Sequence, residues 1–219
     1  MGRQNQMKIT LVYDNEVHTT GLEPDWGFSC LIEREGTTNI LFDTGANGSI
    51  LLSNMKKLGL DPLSIGIVVI SHAHWDHTGG LSRFLNENKE VKVYIPGSCQ
   101  EPKGAKEVIV VKEALEISGG VFSTGELKGI EQSLAVRTEK GLTVIAGCSH
   151  PGVENILKTA SRFGPVHALV GGLHGFRQFD VVKELNIICP CHCTQYKSEI
   201  RALYPEKYVG GGAGKVLYI

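Results

Sequence analysis

No apolar run in the 219-residue chain comes near the roughly 20 residues that cross a bilayer, so no transmembrane helix is expected. A basic tract is missing as well. The 22 Lys and Arg are balanced by 23 Asp and Glu, and the formal net charge is −1. The electrostatic footprint of a nucleic-acid or anionic-membrane partner is therefore absent, and neither is expected. The opening MGRQNQMKIT has no apolar segment of the export type, which points to the cytoplasm. Gly2 would suit N-myristoylation, but Gln6 stands where that motif needs Ser or Thr. No repeat or linker interrupts the chain, so one domain over 1–219 is expected. Charged residues make up 21% against 42% apolar, a balance that excludes disorder. The six cysteines read as thiols or ligands in a chain that is not exported. The spacing in CPCHC is too tight for zinc-finger knuckles.

What is present is an alternation of β-branched runs with Gly and Pro punctuation. MKITLVYD, SCLIE and TNILFDTG read as strands, followed by a helix in SILLSNMKKLGL with a glycine stop. IGIVVIS is a buried strand, GGLSRFLNEN a short helix, and EVKVYIP and KEVIVV further strands. Residues 114–138 look like β-hairpins. Then come the strand GLTVIAG, the helix GVENILKTASRFG, the strand PVHALVGG, a helical FDVVKEL, the strand NIICP, a helical SEIRALY and the strand KVLYI. Early β-rich segments followed by αβ alternation predict a mixed α/β domain.

Four of these strands run into metal-type residues. GIVVIS leads to His72, TVIAG to Cys148 and His150, HALVGG to His174, and NIICPC to His192. Donors gathered at the carboxyl ends of adjacent strands are a common way for α/β sheets to build a site. The densest cluster is SHAHWDHTGG, residues 71–80. His72 and His74 are too close in sequence to share a helix face, but a tight loop after a strand can turn both inward. Asp76 and His77 follow at once and can serve a second position. Neutral imidazole and carboxylate suit zinc, iron or manganese. Gly79 and Gly80 are expected to let the backbone turn into the next helix.

SHAHWDHTGG after LFDTG and a helix resembles the metallo-β-lactamase superfamily, with its H-x-H-x-D-H signature. EPDWGFSCLIE, AGCSHPG, GGLHGF and PCHCT are similar to one branch of it. That branch comprises 7,8-dihydropterin-6-ylmethyl-4-(β-D-ribofuranosyl)aminobenzene 5′-phosphate synthases and predicted metal-dependent hydrolases. The resemblance implies a four-layer αββα sandwich with the site at one edge. It implies one or two divalent metals, zinc first, with manganese or iron as alternatives. His72 and His74 match the first metal's ligands, Asp76 and His77 those of the second, and His192 the last ligand. Asp43 matches an aspartate that supports the site without binding metal.

Two departures stand out. No histidine lies between Thr78 and Ser149, so His150 must fill a place normally filled earlier. Cys148 stands where the family usually has a bridging aspartate; it is either a thiolate ligand or a small buried residue. Cys189, Cys191 and Cys193 are expected mainly to pack around His192, and His18 and His167 read as ordinary. His174 is a general acid, an added ligand, a substrate contact or a plain loop residue. Arg177 and Lys197 are candidates to grip a phosphate, Trp26, Trp75 and Phe176 to stack on a flat ring. The glycine-rich 210–214 segment is a weak candidate phosphate loop.

The leading functional expectation is a metal-dependent hydrolase in which Asp76 orients a metal-activated water and His174 assists. Its substrate would be a small molecule, phosphorylated or pterin-like. The alternatives are the pterin-pathway synthase, a mono-iron oxidoreductase of the persulfide dioxygenase kind, and a metal-binding protein without chemistry. The sequence carries no signal of oligomeric state.

Overall fold

The computed structural model describes residues 6–219; Gly2 lies outside the described residues. In chain order the strands are Lys8–Tyr13 (β1), Ser29–Glu33 (β2), Asn39–Phe42 (β3), Ile65–Val69 (β4), Lys92–Pro96 (β5), Glu107–Val111 (β6) and Leu115–Ser118 (β7). Val121–Ser123 (β8), Leu134–Thr138 (β9), Gly141–Ala146 (β10), Val166–Gly172 (β11), Ile187–Cys191 (β12) and Val216–Tyr218 (β13) follow. The helices are Gly48–Lys57 (α1), Trp75–Thr78 (α2), Leu81–Glu87 (α3), Val153–Ala160 (α4) and Lys197–Leu203 (α5). The strands build one seven-stranded sheet in the order β13-β1-β2-β3-β4-β5-β6 and one six-stranded sheet in the order β12-β11-β10-β9-β8-β7.

The apolar runs are continuous because their strands bury both faces. In β3, Ile40 and Phe42 point between the sheets while Leu41 points to the helices. In β4, Ile67 and Val69 face inward and Ile65 and Val68 outward. Three clusters result. One fills the space between the sheets, one joins the first sheet to α1 and α3, and one joins the second sheet to α4 and α5. That is the αββα sandwich. Each fully buried large apolar side chain contributes about 1.5–3 kcal/mol.

α1 starts on Asn47, whose side chain accepts the amide of Ser49 at 2.9 Å. It ends at Gly59 with φ 69°, where the amide of Leu60 returns to the carbonyl of Met55 at 2.9 Å. This is the expected glycine stop, closed as a Schellman turn. α4 buries Val153, Ile156, Leu157 and Ala160, the stripe that its sequence periodicity predicts.

Two local expectations differ. FDVVKEL is a 3-10 turn over Phe179–Val182 rather than an α-helix, and of those residues only Val182 is buried. So short an apolar stripe cannot offset the cost of nucleating a longer helix. WDHT, expected as loop, is the single helical turn α2. No helix among the described residues is long and apolar enough to cross a membrane.

Candidate metal centre

β3 and β4 run parallel, as do β10, β11 and β12. The loops after β4, β10, β11 and β12 converge on one edge of the sandwich. There His72, His74 and His150 form one group and Asp76, His77 and His192 another, with the donor atoms of each group within 4.8 Å of one another. The rings of His72 and His74 are 4.5 Å apart, and that of His150 lies 4.8 and 4.9 Å from them. His72 Nε2 and His74 Nδ1 face each other at 3.0 Å. In the second group, His192 Nε2 lies 3.1 Å and His77 Nε2 3.8 Å from Asp76 Oδ2.

The Nδ1 atoms of His72, His77 and His192 are held by the protein, which fixes those three tautomers. His77 Nδ1 is 2.7 Å from Asp43 Oδ2. Ser71 Oγ lies 2.7 Å from the same Asp43 oxygen and 2.8 Å from His72 Nδ1, so it relays one bond to the other. His192 Nδ1 is 2.8 Å from Asn15 Oδ1. Each Nδ1–H thus donates outward and leaves Nε2 bare toward the centre. Burial favours the neutral form of three of the rings. His77 is pushed down to about 3 by burial and then by His192, and His150 to about 4 by burial and then by His74. His72 is driven well below the usual imidazole range by burial and its histidine neighbours.

The Nε2 atoms of His150 and His192 are buried without a hydrogen-bond partner. An orphaned buried nitrogen ordinarily costs about 1–3 kcal/mol. One such nitrogen in each group, beside neutral imidazoles or a carboxylate, fits borderline divalent cations. Cys148 stands between the groups. Its Sγ is 3.2 Å from His77 Nε2, and it forms donor sets both with His72 and His77 and with His192 and Cys193.

The loop glycines act through space rather than turn geometry. Gly79 and Gly80 have ordinary helical dihedrals, not the sharp turn expected of them. A Cβ on either would lie 2.1 Å from a carbonyl oxygen of the 43–47 loop, that of Ala46 or Thr44. Their bareness lets this loop, with Asp43, press against the histidine loop. Asp43, Ser149, His174 and His192 all sit at positive φ, 57°, 62°, 42° and 46°. Such strain in non-glycine residues gathers where a site demands it.

Sequence reasoning missed Glu131 and Gln132. Buried Glu131 accepts the amides of Gly147, Cys148 and Ser149 on Oε1 at 3.2, 3.0 and 3.0 Å, and that of His150 on Oε2 at 2.9 Å. It shapes the loop that carries Cys148 and His150, although burial raises its carboxyl to about 7. Gln132 ties the second sheet to the end of β4 through the carbonyls of Ile70 and Ser71. An acidic residue in a hairpin region gives no sign in sequence that it will be buried.

His174 is exposed at the rim, its ring 5.2 Å from that of His150. Both line a cavity of about 430 Å³ with Ser149, Phe176 and Arg177. Phe176 is buried in its wall, while Trp26 and Trp75 are 52% and 63% exposed. Trp26 donates its indole N–H to Asp76 Oδ2 at 3.0 Å and stands edge-on to His192. Arg177 stacks on Tyr196 at 4.5 Å. Lys197 is held by Glu16 at 2.9 Å. In the 210–214 segment, the amides of Ala213 and Gly214 bond to the carbonyls of Glu16 and Leu11, so it serves as a turn against the β1 region. His18 is exposed and His167 half-buried at the start of β11, and neither joins the donor groups.

Comparison with known proteins agrees with this fold. A 7,8-dihydropterin-6-methyl-4-(beta-D-ribofuranosyl)-aminobenzene-5′-phosphate synthase of Methanocaldococcus jannaschii is 28% identical, across 99% of this chain and 98% of that one. The solved structure of Tm1679, a metal-dependent hydrolase of the beta-lactamase superfamily, superposes with a TM-score of 0.77 at 26% identity, covering 97% of this chain and 99% of that one. YhfI from Bacillus subtilis, a metallo-beta-lactamase fold protein, shares the fold with a TM-score of 0.71 at 13% identity, covering 98% of this chain and 100% of that one. The family model of the metallo-beta-lactamase superfamily matches residues 24–153, more than half of the sequence, and the chain belongs to that superfamily.

Proposed function

We propose that this chain is a metal-dependent hydrolase acting on a phosphate ester or similar small molecule in the cytoplasm. The observation that carries the reading is the pair of donor groups, His72/His74/His150 and Asp76/His77/His192, with buried unpartnered Nε2 atoms on His150 and His192. In this reading the first group holds one divalent ion and the second another, zinc before manganese or iron. Bound there, such ions would supply a water acidified toward neutrality and Lewis acidity for the scissile oxygen. Asp76 orients the attacking water through the carboxylate that Trp26 fixes. His174, at the rim of the cavity beside His150, gives a proton to the leaving group. Arg177 lines the same cavity and suits an anionic substituent.

A second reading is supported by the full-length similarity to the pterin-pathway synthase. There the same centre would promote loss of a leaving group as a dihydropterin unit joins a ribofuranosylaminobenzene phosphate.

The test is metal content per chain in protein prepared without chelator, joined to a phosphodiester screen of wild type and His74→Ala. About two zinc or manganese ions per chain, with ester hydrolysis lost in the variant, is the expected result. About one iron and a dioxygen-dependent reaction would replace the proposal with a mono-iron oxidoreductase. Product formed only from the dihydropterin and aminobenzene pair would favour the synthase.

A further inference from the structure

Cys193 does more than pack. Cys189 and Cys191 lie in the core between the sheets. Cys193 instead leaves the strand on the same side as His192, and its Sγ, Cys148 Sγ and the His192 donor nitrogen all lie within 4.8 Å of one another. All three residues are buried. Consecutive residues in extended backbone point to opposite faces. His192 escapes that rule because its φ is +46°, so the strand end presents two neighbouring side chains to one point.

The surroundings maintain this turn. Asp14 accepts the amide of His192 at 3.2 Å, and Asn15 grips both its carbonyl and its Nδ1, at 3.2 and 2.8 Å. Gly172 makes the room. A Cβ there would lie 2.2 Å from the carbonyl of Gly147 and 2.8 Å from Cys193 Sγ, so only glycine lets the thiol sit against the Cys148 loop.

We infer that Cys148 and Cys193 together are thiolate ligands, with His192, at the second metal position. This makes that position a thiophilic site. The inference rests on the metal reading above and specifies which ions the second position accepts. Each thiol gives its proton to solvent as the cation binds, so one divalent ion replaces two protons and charge is conserved. The electrostatics favour this outcome. Histidine ligates metal as the neutral imidazole, so Asp76 alone would face two divalent cations. The thiolates supply the negative charge that a bridging carboxylate would otherwise bring. Thiolate donors select zinc, cobalt or cadmium over magnesium or manganese.

The test is cobalt(II) titration of the metal-free chain, followed by absorption. Visible ligand-field bands report cobalt in a folded site whatever its donors. A near-ultraviolet sulfur-to-cobalt band reports thiolate ligation alone. Wild type is expected to show both. Cys193→Ser and Cys148→Ser should each lose about half of the sulfur band per bound cobalt at the second position, and the double variant all of it, with the visible bands kept in every case. A sulfur band unchanged in Cys193→Ser overturns the role of Cys193. Visible bands without any sulfur band overturn the thiolate site while leaving the metal reading intact. Absence of both bands in wild type overturns both.

Discussion

His174 is exposed at the rim of the cavity, its ring 5.2 Å from that of His150, and its proposed role is that of a general acid. A general acid matters only when its substrate needs protonation. His174→Ala is therefore expected to slow esters with alkoxide leaving groups by about 10²–10⁴-fold and nitrophenyl esters far less. Equal loss on both would make His174 a binding or structural residue. Asp43 works at one remove. It receives the Ser71 amide and hydroxyl and the His77 ring at 2.7 Å each, and so sets the tautomers of two donor histidines. Asp43→Asn replaces one of those acceptor oxygens with an amide donor. Metal affinity should fall about 10–100-fold with little change in the circular dichroism spectrum, as competition with a chromophoric chelator would read. The clustering of donors was the most legible feature in sequence, because imidazole and carboxylate are rarely so dense in one loop. Glu131 was not, since its role lies in four backbone amides supplied from 147–150.

Elements were legible wherever an apolar stripe had room to repeat. β4, α1 and α4 follow their patterns, and the runs entering His72, His150 and His192 end at the centre. α2 was not legible, for four residues cannot show a helical period. The Phe179–Val182 turn misled because a few apolar residues mimic one. The glycines between α2 and α3 show how two effects of opposite sign are weighed. Ala for Gly in a helical conformation ordinarily gains about 0.5–1 kcal/mol. At Gly80 the new Cβ would meet the Thr44 carbonyl at 2.1 Å, an overlap that backbone movement must relieve. Overpacking of that kind costs about 1–3 kcal/mol, so Gly80→Ala should lower the urea midpoint despite the better helix propensity. A raised midpoint would mean that the 43–47 loop yields easily.

At the scale of the whole molecule the donor groups span the sandwich. His72, His74, Asp76 and His77 follow a strand of one sheet, and Cys148, His150 and His192 follow strands of the other. A cation held by both groups links the sheets and stabilises the native state alone. At free metal about 1,000-fold above the dissociation constant the gain is about 4 kcal/mol. For a chain of this size 1 kcal/mol is worth about 2–4 °C, so chelation should lower Tm by roughly 8–16 °C, reversibly on adding zinc. No shift would mean that the sheets hold the site without help. The pairing of the sheets was only partly visible in sequence, because strand order depends on contacts between segments far apart.

The edge of the first sheet has a different consequence. β13 pairs with β1, and Met7 and Ile219 exchange backbone hydrogen bonds at 3.1 and 3.0 Å. The described polypeptide thus returns almost to its starting point, and its path is nearly a closed loop. A short covalent bridge between those ends would disturb no strand. New ends opened at the turn between β7 and β8 would lie in an antiparallel hairpin at the far edge of the other sheet. The order in which the segments are written along the chain is to that extent separable from the shape they adopt, and a circularly permuted version would keep the same centre.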